Sequence, residues 1–290
     1  MDNAKRKELA TRAAYEAEKA RIRAQVPRTA SVDPVAVAEA CKCEVRFMTL
    51  PSLEGVYSPE PRPAIVLGAE RPAGRRAFNC AHELGHHVFN HGVRIEELNA
   101  QHFDCEAPPE EFLADVFAGF LLMSLPSVRR SLKDRNWRPE HLCPHEIFRL
   151  ACFFGVGYAA LVQHLTWSLR MLEPGRADQL LKFRPKDIKA RHAVPPDAEL
   201  VLVDHHWTHR AVDLAVGDTV VLPSGTDIDG DEQLVAAGAR ECQLLFRAVA
   251  PGYARAHQES GNWAVNMRIA RKQYQGLAKY RFYPEAKDDP

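Results

Sequence analysis

Ala77-Phe78-Asn79-Cys80-Ala81-His82-Glu83-Leu84-Gly85-His86-His87-Val88-Phe89 reads as a helix that is apolar over most of its surface, and it contains H-E-x-x-H. Residues four apart on a helix stand on one face, so His82 and His86 can offer two imidazole nitrogens to one Zn²⁺. Glu83 stands beside them, within reach of a water on the metal's open position. These are the parts that zinc-assisted amide hydrolysis needs. A helix with surface histidines is the plainer reading. The apolar flanks Phe78, Ala81, Leu84, Val88 and Phe89 oppose it, because buried polar groups need partners and a metal supplies one. Gly85, a poor helix former between the two His, leaves room for another segment to approach.

A catalytic zinc takes a third protein ligand from elsewhere in the chain. Glu111 fits, in the apolar helix that begins after Pro108-Pro109 and closes near Pro126. Asp115, one turn on, shares its face and can accept a hydrogen bond from a ligand His, which fixes that ring's tautomer. Glu110 is explained by ordinary negative charge in a first helical turn. Asp115, set among Leu113, Ala114, Val116 and Phe117, needs a partner.

The stretch from Arg75 to His87, followed by Glu111-Phe112-Leu113-Ala114-Asp115-Val116-Phe117-Ala118, resembles the ImmA/IrrE family of zinc metallopeptidases. Where that family closes its second helix in L-L-M-P, this chain has Leu121-Leu122-Met123-Ser124-Leu125-Pro126, with the Pro displaced. Gly55-Val56-Tyr57 and Ile65-Val66-Leu67 match the small sheet that precedes the motif helix. The resemblance covers about residues 30 to 130. It implies a zincin-like fold, ligation by His82, His86 and Glu111, and Glu83 as the catalytic acid and base. It also implies cleavage of a helix-turn-helix repressor in a stress response or in mobile-element induction.

The composition is that of a globular protein: 290 residues, 46% hydrophobic and 26% charged. Lys and Arg equal Asp and Glu at 38 each, so no net charge draws the chain to nucleic acid or an anionic membrane. No apolar run suggests a membrane span, and the first residues read as a charged helix rather than a signal peptide. The seven cysteines lack paired metal-knuckle spacing. Cys41 and Cys43 form C-x-C, and Cys80, Cys105, Cys143, Cys152 and Cys242 are scattered. Reduced thiols in a cytoplasmic protein are expected, with Cys80 packed in the core.

Three regions follow, all within an α+β class. Residues 1–130 are the expected peptidase domain, a small antiparallel sheet beside the two site helices. Its opening helix, 2–25, carries a thin stripe of Leu9, Ala13, Tyr15, Ala20 and Ile22, and Asp33 caps a second helix. Ala64 to Leu67 is the candidate edge strand that would bind substrate as an added strand. Residues 131–175 resemble a helix-turn-helix, with Gly155-Val156-Gly157 as the turn. The second helix, from Tyr158, has no Lys or Arg before Arg170, which argues against DNA reading. Residues 176–290 are a mainly β appendage for sensing or docking, with strands at 200–203, 219–222, 244–246 and 263–265. Asp204 to His209 is read as a solvent loop rather than a second metal site, and Asp227 to Glu232 as a charged turn. Arg268, Arg271, Lys272, Lys279 and Arg281, interleaved with Tyr274, Tyr280, Phe282 and Tyr283, are read as a solvated face with a packed aromatic side.

In the expected mechanism zinc acidifies water, Glu83 moves the proton, and a further donor meets the oxyanion. Tyr57, His87, His91 and His145 are candidates for that donor by residue type, and His91 also for a supporting place around the ligands. Two other classes of function stand beside this one. One is a metal-binding anti-repressor that sequesters without cutting. The other is a DNA-binding regulator using residues 144–170 or the basic tail.

Overall fold

The computed structural model describes residues 1–97, 108–195, 197–230, 232–240, 243–259 and 261–284. Cys105, Cys242 and Asp231 lie outside the described residues. The chain forms two compact units, 1–183 and 184–290.

The first unit opens with α1 (Asn3–Arg23) and α2 (Pro34–Ala40), the latter capped by the Asp33 carboxylate, which accepts from Val35 N at 3.0 Å. The buried stripe of α1 is Leu9, Ala13, Ala17, Ala20 and Arg21, whereas Tyr15 and Ile22 are exposed. The expected stripe is therefore corrected in register. The alanines let α1 approach α4 (Pro109–Leu122) closely, and the larger Tyr15 and Ile22 fall off that face. Arg21 follows the small residues into the core. Its guanidinium donates to Leu121 O at 2.8 Å, Ala30 O at 2.5 Å and Ser127 Oγ at 3.3 Å, so it satisfies a carbonyl at the end of α4 and one in the loop before α2. Burial pushes its pKa down to about 10.

Strands β1 (Glu44–Met48), β2 (Leu53–Ser58), β3 (Ala64–Gly68) and β4 (Arg94–Glu97) lie in the order β1-β3-β2-β4. The sheet is mixed rather than antiparallel: β1 runs parallel to β3, while β2 is antiparallel to β3 and β4. Ala64 to Leu67 is not an edge. It pairs on both sides, Ile65 with Val45 and with Tyr57. Alternating side chains reveal a strand's two faces but not its neighbours. Val45, Phe47, Tyr57, Ile65 and Leu67 form the buried face beneath α3 (Ala73–Phe89).

Helix α4 crosses the other side of α3. A Cβ on Gly85 would stand 3.0 Å from Ala114 Cα, so the small residue sets this approach, as expected from the sequence. α4 ends at Leu122, and Pro126 opens α5 (Leu125–Asp134) behind a Ser124 cap instead of closing α4. The stretch Pro109–Asp134 is apolar enough to resemble a membrane span, but 72% of its most apolar window is buried inside the protein. α6 (Pro144–Phe154) and α7 (Tyr158–Gln163) meet at a 101° bend through Gly155 in the left-handed region. Tyr158, Leu161 and Val162 are buried, and the turn lies against α3, where a Cβ on Gly74 would meet Val156 C at 2.8 Å. The buried second helix leaves little surface for reading bases. A π-helical turn, His164–Ser168, and α8 (Pro174–Leu181) complete the unit.

The second unit holds α9 (Pro185–Arg191) and two four-stranded sheets. One has the order β5 (Leu200–Leu202), β7 (Thr219–Pro223), β10 (Gln243–Ala248), β9 (Leu234–Arg240). The other has β6 (Val212–Ala215), β12 (Ala264–Ala270), β11 (Gly252–Gln258), β8 (Thr226–Asp229). Asp227 to Asp229 belong to β8, which corrects the charged turn. In the Asp204–His209 segment His205, His206 and His209 are exposed, and the buried Trp207 anchors the loop through its Nε1–H to Arg210 O at 3.0 Å. Arg268 makes a bidentate pair with Asp213 at 2.7 and 2.8 Å and, with Arg281, packs on the buried Phe282 ring.

His164 gives this fold a pH dependence. It is fully buried beside Gly119, its Nε2–H donates to Met123 O at 2.9 Å, and burial pushes its pKa down to about 4. The folded state resists a proton that the unfolded chain accepts near pH ~6.5. The stability His164 confers is complete above that value and is lost as pH falls toward about 4, on the order of 3 kcal/mol at most. His164→Gln keeps a donor for Met123 O and cannot titrate. Urea unfolding across this window should show a shallower acid-side loss in the variant than in the wild type. Equal slopes would refute this assignment.

Candidate metal centre

α3 buries Asn79, His82, Glu83 and His86, all at 2% exposure or less. His82 Nε2 and His86 Nε2 face each other at 3.0 Å, and Glu111 Oε2 lies 3.2 Å from the first and 3.4 Å from the second. A tetrahedral ion with bonds of about 2.0–2.1 Å holds its ligand atoms about 3.3–3.4 Å apart. The three separations are close to that spacing. Among the described residues, His82, His86 and Glu111 form the cluster whose donor atoms could share one ion. Two neutral His and one carboxylate suit zinc and other first-row divalent ions. Glu111, with a side chain 35% exposed, leaves the cluster reachable from solvent.

The electrostatics follow from packing. Hydrogen bonds from His82 and His86 hold the Glu111 carboxyl well below the usual carboxylate range. Burial lowers the His86 pKa, partly offset by Glu111. Asp115 Oδ1 lies 2.8 Å from His82 Nδ1, on the side of the ring away from the cluster. With a metal on Nε2, the hydrogen bond to Glu111 would give way to ligation, and the proton of His82 would sit on Nδ1 and be donated to Asp115. Glu83 lies against β2: a Cβ on Gly55 would come 2.8 Å from Glu83 Oε1, so glycine makes the seat for this carboxylate.

The remaining sequence candidates divide. Tyr57 O–H donates to His87 Nδ1 at 2.9 Å, and His87 Nε2–H donates to Cys41 O at 3.2 Å. Those bonds tie β2 and the end of α2 to α3. Burial raises the Tyr57 pKa and lowers that of His87. His91 lies beside His86, Nδ1 to Nδ1 at 2.9 Å, and its pKa is pushed down to about 4 by burial and by neighbouring His86 and Arg94. His145 stands in the first turn of α6, outside the cluster. Cys80 is buried in α3, and burial raises the Cys43 thiol to about 12.

One buried group escaped sequence reading. Glu54, on β2 beside Gly55, accepts from Asn79 Nδ2 at 2.9 Å and pairs with Arg75 at 2.9 Å. It pins the strand behind Glu83 to the helix that carries Glu83. Asn79 stands one turn before Glu83 with apolar neighbours on both sides, and that was the available signal. Glu110, next to Glu111, pairs with Arg94 of β4.

Residues 38–166 match the Peptidase_M78 family model, described as the IrrE N-terminal-like domain. This supports the family resemblance read from the motifs, and the matched span carries the whole cluster. A search of curated proteins gives no match. Among solved structures, a Mycobacterium tuberculosis transcriptional regulator is similar at 16% identity and a TM-score of 0.37, over 54% of this chain and 46% of that one. The chain thus spans less than half the length of that protein.

Asp115→Asn should weaken metal retention roughly 10–100-fold while leaving the fold intact. Competition with a chromophoric chelator measures this. Retention equal to the wild type would remove Asp115 from the site.

Proposed function

For this IrrE N-terminal-like domain we propose a zinc-dependent endopeptidase whose substrate class is a helix-turn-helix transcriptional repressor. The observation that carries the chemistry is the near-tetrahedral spacing of His82 Nε2, His86 Nε2 and Glu111 Oε2, with Glu83 buried on the same turn of α3. Three protein ligands leave a position open for water and substrate, which distinguishes a catalytic from a structural zinc. When bound, zinc supplies Lewis acidity toward a water and a scissile carbonyl. Glu83 takes the proton from the attacking water and delivers it to the departing amine. Asp115 keeps His82 in the ligating tautomer, and Gly55 lets the Glu83 carboxylate seat against β2. The repressor as substrate, and a role in stress response or mobile-element control, rest on the family resemblance. A reducing cytoplasm suits the thiols of Cys41, Cys43 and Cys143.

The test co-incubates the full chain with the product of a neighbouring repressor gene, with and without chelator, and identifies fragments by mass spectrometry. Cleavage should require metal. Glu83→Gln should hold zinc and fold but lose cleavage, and Glu111→Ala should lose zinc. Gly55→Ala should hold zinc yet cut on the order of 10²-fold more slowly, because the Glu83 carboxylate must move. A Glu83→Gln protein that cuts at the wild-type rate would overturn the mechanism. A zinc-loaded wild type that relieves repression without cutting would replace hydrolysis by sequestration.

A further inference from the structure

We propose that His91 is the positioning residue of His86, through a neutral imidazole that accepts the proton His86 carries on Nδ1. The inference rests on the metal reading above. His86 turns Nε2 toward His82 Nε2 at 3.0 Å and Glu111 Oε2 at 3.4 Å. For Nε2 to ligate, its lone pair must be free, so the single proton of the ring sits on Nδ1. That nitrogen meets His91 Nδ1 at 2.9 Å. The bond forms only if His91 Nδ1 is itself unprotonated. His91 therefore does for His86 what the Asp115 carboxylate does for His82, with an uncharged acceptor.

The backbone delivers His91 to this place. Asn90, at φ 56 and ψ 47, ends α3 in the left-handed region. Its N–H reaches His87 O at 3.2 Å, and His91 N–H reaches His86 O at 3.0 Å, the two bonds of a Schellman ending. His91 is thus bonded to His86 twice, once through backbone and once through the ring. Its ring is clamped as well. Phe89 stacks on it at 5.6 Å and 21°, Phe117 of α4 meets the Phe89 ring edge-on at 6.0 Å, and the Arg12 guanidinium of α1 lies over Phe89 at 5.1 Å. α1 precedes the matched span 38–166, so an element outside that span braces the support of a ligand inside it.

The experiment uses the full chain with Zn²⁺ or Co²⁺ alone as probe. H91F and H91L remove the acceptor and keep an apolar group against Phe89; H91N keeps an acceptor oxygen near the position of Nδ1. Zinc retention is read by chelator competition, the ligand field by the visible spectrum of the Co²⁺ form, and folding by thermal unfolding of the metal-free protein. H91F and H91L should retain zinc roughly 10–100-fold more weakly and shift the Co²⁺ spectrum, whereas H91N should stay within a few-fold of the wild type with its spectrum. Wild-type retention and spectrum in whichever of H91F and H91L folds would overturn the proposal. So would an H91N protein that folds but is as weak as those two, because ring packing rather than the acceptor would then be at work. A wild-type chain that holds neither ion would instead overturn the metal reading itself.

Discussion

α3 carries four polar side chains, Asn79, His82, Glu83 and His86, into buried positions in the core. A polar group buried without a partner costs several kcal/mol, so the segments packed around α3 must supply partners at fixed heights along it. They do so in sequence. Glu54 of β2 meets Asn79, and Gly55 makes the seat for Glu83 one turn on. Asp115 and Glu111 of α4 meet His82, and the chain beyond α3 returns His91 to His86. The polar residues of the helix thus dictate what may stand on β2, on α4 and just past Asn90.

The same constraint explains what the sequence disclosed. The i, i+4 spacing of His82 and His86, and of Glu111 and Asp115, is local. A residue such as Asp115 among apolar neighbours announces a need for a partner even when the partner is far along the chain. What stayed hidden was non-local. No pattern within β3 shows that β1 lies beside it in parallel, so the edge assignment failed while the strand itself stood. In α1, amphipathic reading favoured the large apolar Tyr15 and Ile22. Close approach to α4 instead selected Ala13, Ala17 and Ala20, and drew Arg21 in to satisfy open carbonyls. In the second unit β6, β8, β9 and β11 were missed. Asp227 and Asp229 face away from the interior of β8, and the small residues of β9 give no apolar alternation.

The helix-turn-helix likeness shows how one local signal can serve two purposes. Gly155 with an αL turn and a 101° bend describes a DNA-reading motif and also a corner in a helical core. The neighbours decide between them. The turn abuts the first helical residues of α3 at Gly74, and the second helix turns its apolar side chains inward. The segment therefore reads as a buttress for the helix that carries the cluster. Gly119 plays a similar part further along: without a Cβ it admits the His164 ring, which ties the π-helical turn to the end of α4 through Met123 O.

On the proposed reading, the two histidine supports differ in a way that bears on the chemistry. A dication with one carboxylate and two neutral imidazoles carries a net charge of +1. Asp115 adds a negative charge just beyond His82, while a neutral His91 adds none beyond His86. An acidic residue in place of His91 would take the whole assembly to −1 and weaken its pull on electrons from a water or a carbonyl. An uncharged acceptor orients the second ligand and leaves that pull intact. The Arg94 guanidinium near His91, which pairs with Glu110, adds positive charge on that side and so works in the same direction. The chain can therefore hold both ligand rings rigidly and still keep the site electrophilic, with the acid–base work left to Glu83.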